Sequence, residues 1–144
     1  VLSTIVHGDS RAAVLGNPNH PCIGASGGNR NGDSWISQSI RVPNTSAPQL
    51  TVWYRIFTWD RNANNNDDVD RFEIWINNQE LFQTANITGN YGCAFPVNDL
   101  GWRDFVYDLS AYRGQQITLK LTNVVWPDEA YNTWTFVDDI IIIP

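Results

Sequence analysis

The chain predicts an all-β fold, an antiparallel sandwich or barrel of about eight short strands. Three observations predict it. Helical periodicity is nearly absent from the 144 residues. Short runs rich in Val, Ile, Thr and aromatic residues are cut by Gly, Pro, Asn and Asp. No run of strand character is followed by the helical pattern that a parallel βαβ unit needs.

Taken in order, strands are expected near 11–15, 35–42, 49–59, 69–77, 79–84, 102–108, 115–123 and 133–143. The segment 16–34 is too polar and Gly-rich for regular structure, and "DLSAYRG" at 108–114 reads as one helical turn between two strands. Alternation assigns faces. Leu50, Val52, Tyr54 and Ile56 form one apolar row, and Phe72, Ile74 and Ile76 form another. The opposite faces carry Trp53, Arg55 and Phe57, and Arg71, Glu73 and Trp75. A hairpin joining the two strands would set Trp53 against Trp75, Arg55 against Glu73 and Arg71 against Phe57.

That hairpin would turn through "TWDRNANNNDDVDRF", residues 58–72, which holds Asp60, Asp67, Asp68 and Asp70 with Asn62, Asn64, Asn65 and Asn66. An EF-hand loop beginning at Asp60 needs Gly in its sixth position and Glu in its twelfth, where Asn65 and Arg71 stand. The segment therefore reads as a solvated tip whose Asn and Asp side chains make local turns, with weak calcium binding as the alternative.

The totals narrow the function classes. Apolar residues make up 42% and charged residues 17%, as in a globular protein, and 144 residues suffice for one domain with its own core. A net charge of −6, with Lys120 the only lysine, argues against nucleic acid. No run approaches the roughly 20 apolar residues of a membrane helix. Starting at Val1 and containing no Met, the chain reads as a piece processed or excised from a larger extracellular protein. Cys22 and Cys93 lie in Gly/Asn/Pro-rich loops with no Cys or His at zinc spacing, so they are expected to pair in an exported protein or else to be free. Asn44-Thr45-Ser46 and Asn86-Ile87-Thr88 are glycosylation sequons, relevant in a eukaryotic source.

Three stretches carry a family resemblance: "VHGDSRAAVLGN" with "SWISQSIRVPNTSAPQLTVWYRI", "GWRDFVYDLSAYRGQQITLKL", and "TWTFVDDIII". Together they resemble the galactose-binding-like and MAM-like jelly rolls, which include carbohydrate-binding modules and accessory domains of secreted bacterial peptidases and glycosidases. The resemblance implies an antiparallel jelly-roll β-sandwich of about eight strands over residues 1–144. It also implies a structural calcium, with Asp138 as a side-chain ligand and Asp9 of the "HGDS" turn beside it. Asp138 shares a face with Phe136 and Ile140 and would point inward. An unpaired carboxylate there is costly, so it needs a cation, backbone N–H donors or an arginine.

Sugar binding needs flat aromatic faces with planar polar groups beside them. Trp53 and Trp75, with Arg55, Glu73 and Asn77, supply that chemistry, and Trp59 would extend it. Packing is the competing role for each ring. Trp35, Trp102 and Trp134 read as core or edge packing, and the loop bearing Trp126, Asp128, Glu129 and Tyr131 is a second candidate. Catalysis finds little support. Glu73 with Asp104 or Asp108 has no selecting feature, Arg55 is the expected partner of Glu73, His7 and His20 are isolated, and no Ser lies in a nucleophile elbow. The expected function is a secreted, non-catalytic glycan-binding module. The alternative is adhesion, or docking of a neighbouring catalytic domain, through the same aromatic face.

Overall fold

Alternating burial within each run builds two stacked sheets. The structure is a computed structural model and describes residues 2–8, 10–22, 32–61, 70–125 and 131–144. Its strands are β1 Leu2–Ser3, β2 Ala12–Leu15, β3 Ser34–Arg41, β4 Gln49–Thr58, β5 Arg71–Ile76, β6 Gln79–Thr84, β7 Asn98–Asp108, β8 Gln116–Val124 and β9 Thr133–Ile143. Sheet A has the order β1-β2-β9-β4-β7 and sheet B the order β3-β8-β5-β6, with the strand pairs antiparallel. Apart from the two-residue β1, consecutive strands cross from one sheet to the other except at the β5–β6 hairpin, which is the jelly-roll arrangement.

The two apolar rows meet between the sheets. Leu50, Val52, Tyr54 and Ile56 of sheet A face Phe72, Ile74 and Ile76 of sheet B in one core cluster, joined by Ile117, Leu119, Leu121 and Val137. Tyr54 stacks on Phe72 with ring centroids 5.1 Å apart. At one end of the core the sheets are linked by polar groups. Asn123 Nδ2 of β8 donates to Thr133 O at 3.0 Å and its Oδ1 accepts from Thr135 Oγ1 at 2.8 Å. Such links satisfy groups that would otherwise be buried without partners.

The β4–β5 hairpin expected from the sequence does not form. β4 pairs with β7 and β9, and β5 with β6 and β8, so the connection between them crosses from sheet to sheet. Trp53 stands opposite Asp104 and Asp138, and Trp75 opposite Glu80 and Lys120. The tip itself, residues 62–69, lies outside the described residues. Its base is buried and bonded: Asp60 Oδ1 accepts from Arg61 N at 2.7 Å, and Asn86 Nδ2 donates to Asp60 O at 3.0 Å. That bond leaves the Asn86 sequon buried, whereas Asn44 is exposed.

The real tight hairpin is β5–β6, closed by Asn77 and Asn78 with φ of 49° and 66°. Two consecutive left-handed residues make a two-residue turn whose twist matches that of its strands, and Asn tolerates this backbone. The helical turn appears as a 3-10 turn at Ser110–Tyr112.

Cys22 and Cys93 form a disulfide with a Cα–Cα distance of 5.5 Å across 71 residues of sequence. Closing so long a loop removes about 4 kcal/mol of unfolded-chain entropy in the simplest treatment. Replacing Cys93 by Ser is expected to lower the unfolding free energy by up to about that amount. Denaturant melts with and without reductant test this, since unchanged midpoints would remove any stabilising role for the bond.

Candidate functional site

The residues between the core rows of β4 and β5 face away from each other, on opposite sides of the sandwich. The outer side of sheet A is covered. Val14, Trp134 and Phe136 form a second buried cluster there, with Phe57, Trp59, Val97 and Trp102 packed against it. Trp59 Nε1 donates to Phe95 O at 3.1 Å, and Gly92 N donates to Trp59 O at 2.8 Å. The segment around Gly92–Phe95 thus lies over Trp59, and the disulfide ties it to the loop that follows β2. Trp53 is covered too. The His7 ring stacks on it with centroids 3.7 Å apart and planes at 14°, and meets Trp102 edge-on at 5.6 Å.

His7 is therefore not isolated. Its Nδ1 lies 2.8 Å from Asp139 Oδ2, and its backbone N–H donates to Asp138 Oδ2 at 2.8 Å. Gly8 N also reaches Asp138 Oδ2, at 3.4 Å, and Asp139 N donates to Asp138 Oδ1 at 2.9 Å. Asp138 is only 8% exposed, and these N–H groups take up its charge. It sits on Phe136's side of β9, which is the outer side of sheet A rather than the core. Ile140 has changed sides: a register shift against β4 and the left-handed Asp139 (φ 44°) mark one extra residue, and Ile140 lines a hollow with Ile36, Leu119 and Leu121 of sheet B. Asp9 lies outside the described residues, as do Trp126, Asp128 and Glu129.

Arg55 does not meet Glu73. Its Nε donates to Asp99 Oδ1 at 2.8 Å and its Nη2 bonds Asp99 Oδ2, while its guanidinium lies 5.0 Å from the Phe57 ring centre. Glu73 and the carboxylates of Asp104 and Asp108 belong to different sheets, so they do not face one another across a cleft.

The outer side of sheet B is different. Trp35, expected to pack, is 59% exposed on β3. Trp75 is half-buried on β5, and Lys120 of β8 lies between the two strands with its ammonium 5.6 Å from the Trp35 ring centre. In the register, Trp35 is opposite Thr122 and Trp75 opposite Lys120. The two tryptophans are thus offset by two strands and two residues, a diagonal of roughly 12 Å from ordinary sheet spacings.

Glu73, buried beside them, accepts from Arg71 Nε at 2.6 Å and from Trp75 Nε1 at 2.8 Å, which fixes the indole. Trp75, Asn78 and Lys120 line a shallow hollow at the hairpin end. Asn77 is part of the turn: its Oδ1 accepts from Thr118 N at 2.8 Å, tying the hairpin to β8. Ser37 and Ser39 of β3 and Thr118 of β8 add exposed hydroxyls.

Of the six expected ligand residues, Glu73, Trp75 and Asn77 are gathered here, while Trp53, Arg55 and Trp59 are on the other sheet. Trp35 and Lys120 were missed. The signal for Trp35 was present, since it alternates with Ile36 and Ile40 and must lie opposite the core if they lie in it. No family model and no curated protein matches the chain. Among the described residues no helix is long and apolar enough to cross a membrane.

Hydrogen bonding from Arg55, the largest cause, holds the Asp99 carboxyl below the usual carboxylate range against the opposing effect of burial, with a smaller lowering by the Gly101 N–H. A depressed folded pKa contributes stability above the unfolded value near 4 and loses it as pH falls through the folded one. Because Asp99 is 38% exposed, the contribution is small. Asp99→Asn is expected to lower the melting temperature slightly at neutral pH, with the gap to wild type closing below about pH 4. Melting curves across pH check this, and a gap that persists in strong acid would overturn it.

Proposed function

We propose that the protein is a secreted, non-catalytic module that binds a glycan on the outer side of sheet B. The carrying observation is the exposed Trp35 set diagonally from Trp75, with Lys120 between them. Sugar rings present flat C–H faces to aromatic planes and hydroxyls to adjacent polar groups, and this sheet supplies both. Glu73 holds the Trp75 indole from below, so one platform is preorganised before any ligand arrives. The Cys22–Cys93 disulfide suits an oxidising, extracellular setting. The jelly-roll strand order agrees with the family resemblance in the sequence.

Binding of the isolated protein to a panel of soluble and insoluble glycans tests the proposal. Trp35→Ala and Trp75→Ala should each weaken binding by about five- to 150-fold, taking roughly 1–3 kcal/mol per ring by analogy with bases stacked on aromatic side chains. Trp53→Ala should leave binding unchanged and lower the melting temperature, because it removes the ring beneath His7. Loss of binding in Trp53→Ala but not in Trp35→Ala or Trp75→Ala would move the site to sheet A.

A docking role has its own observation. Ile141 and Ile143 at the end of β9 and Val106 of β7 are 46–47% exposed, an apolar patch away from the tryptophan platform. A blank glycan panel from a folded protein would shift the function to that patch and to a neighbouring domain as its partner.

The calcium implied by the resemblance would take Asp138 as its carboxylate ligand. The Asp138 oxygens retain lone pairs beyond their N–H bonds, so the residue fits one ligand position. Among the described residues no group of three or more His, Cys, Asp or Glu is assembled for a metal, so Asp9 or backbone carbonyls would complete the shell. EDTA should lower the melting temperature and calcium restore it. An unchanged melting temperature removes the ion from the proposal.

A further inference from the structure

Charge is unevenly divided between the two sheets. The strands of sheet B carry Arg41, Arg71 and Lys120 against Glu73 and Glu80, three positive and two negative groups. Those of sheet A carry Arg55 and Arg103 against Asp99, Asp104, Asp108, Asp138 and Asp139, two positive and five negative. In a chain of net charge −6, the tryptophan platform is thus on the one sheet with a positive balance.

Within that sheet the charges are not equally committed. Glu73 is bonded to Arg71 at 2.6 Å and to the Trp75 indole, so its charge is already met inside the protein. Lys120 has no ion pair among the described residues, and its ammonium lies over the Trp35 ring face. It is half-buried in the centre of the sheet, opposite Trp75 on one side and Ser37 on the other. A cation over an indole is attracted by the ring, and the contact leaves N–H donors directed away from it for a ligand.

Building on the glycan reading, we infer that the bound glycan is anionic, with a carboxylate or sulfate group meeting Lys120 while neighbouring rings lie on Trp35 and Trp75. A neutral polysaccharide would be held by the two indoles and the Ser and Thr hydroxyls alone. An acidic one adds a charge-assisted hydrogen bond at the middle of the platform. The negative residues of sheet A lie across the thickness of the sandwich, on the side turned away from a ligand that approaches the platform.

The test is affinity electrophoresis and calorimetry of the intact protein on two sets of polymers. The acidic set is polygalacturonate, alginate, hyaluronan and chondroitin sulfate; the neutral set is fully methyl-esterified homogalacturonan, galactan, mannan and cello-oligosaccharides. An acidic polymer should bind at least tenfold more tightly than any neutral one at low salt, and the advantage should shrink as salt rises. Lys120→Met should remove that advantage without lowering the melting temperature, and Lys120→Arg should retain it. Equal affinity for polygalacturonate and its methyl ester, or tightest binding to a neutral polymer, overturns the inference and leaves the glycan reading standing. No binding to either set overturns both.

Discussion

The rest of the structure depends on the contact between the even-numbered row of β4 and the row Phe72, Ile74 and Ile76 of β5. These rows belong to different sheets and meet face to face in the core. Because strand side chains alternate strictly, every residue between them must then point outward, and in opposite directions. That geometry separates Trp53 from Trp75 by the full thickness of the sandwich. No adjustment of register within a sheet would reunite them.

The two outer faces then follow different chemistry. Sheet A is apolar on both sides over much of its area. Val14, Phe57, Trp134 and Phe136 would lie in water if nothing covered them. The disulfide-tied segments, with the His7 ring over Trp53, form that cover. Sheet B is apolar on one side only, and its outer side mixes hydroxyls, amides and a few charges around two indoles. A single exposed tryptophan needs no explanation. Trp35 with Trp75, a buried Glu73 bracing one of them and a lysine between them that has no ion pair among the described residues is a more specific arrangement.

Much of the fold was legible. Eight strand segments, the turn after β7, the inward rows of β4 and β5, the antiparallel sandwich and the Cys22–Cys93 pair are all as the residues suggested. Local pattern reports which residues alternate, and that information survives folding. It does not report which strand pairs with which. A twelve-residue connection, 59–70, is compatible with a hairpin and with a crossover, and only the long-range pairing of β4 with β7 and β9 selects the second. The site inherited that ambiguity. Glu73, Trp75 and Asn77 were placed together because they are neighbours on β5 and its turn, while Trp53, Arg55 and Trp59 were added through a pairing that does not exist. The inward direction expected for Asp138 was wrong for another reason: Phe136, on its side of β9, packs in the covered outer cluster rather than the core, and one extra residue in β9 separates Ile140 from both.

The position of β9 has a consequence for how the protein is made. This last strand lies inside sheet A, between β2 and β4, rather than at its margin. Until residues 133–143 are in place, sheet A is missing a central strand, and β2 has only the two-residue β1 to pair with. The earlier strands must wait with open edges and uncovered aromatic side chains, a state prone to pairing with the wrong chain. Closure of sheet A therefore waits for residues 133–143, and removing them would cost the sandwich rather than one edge of it.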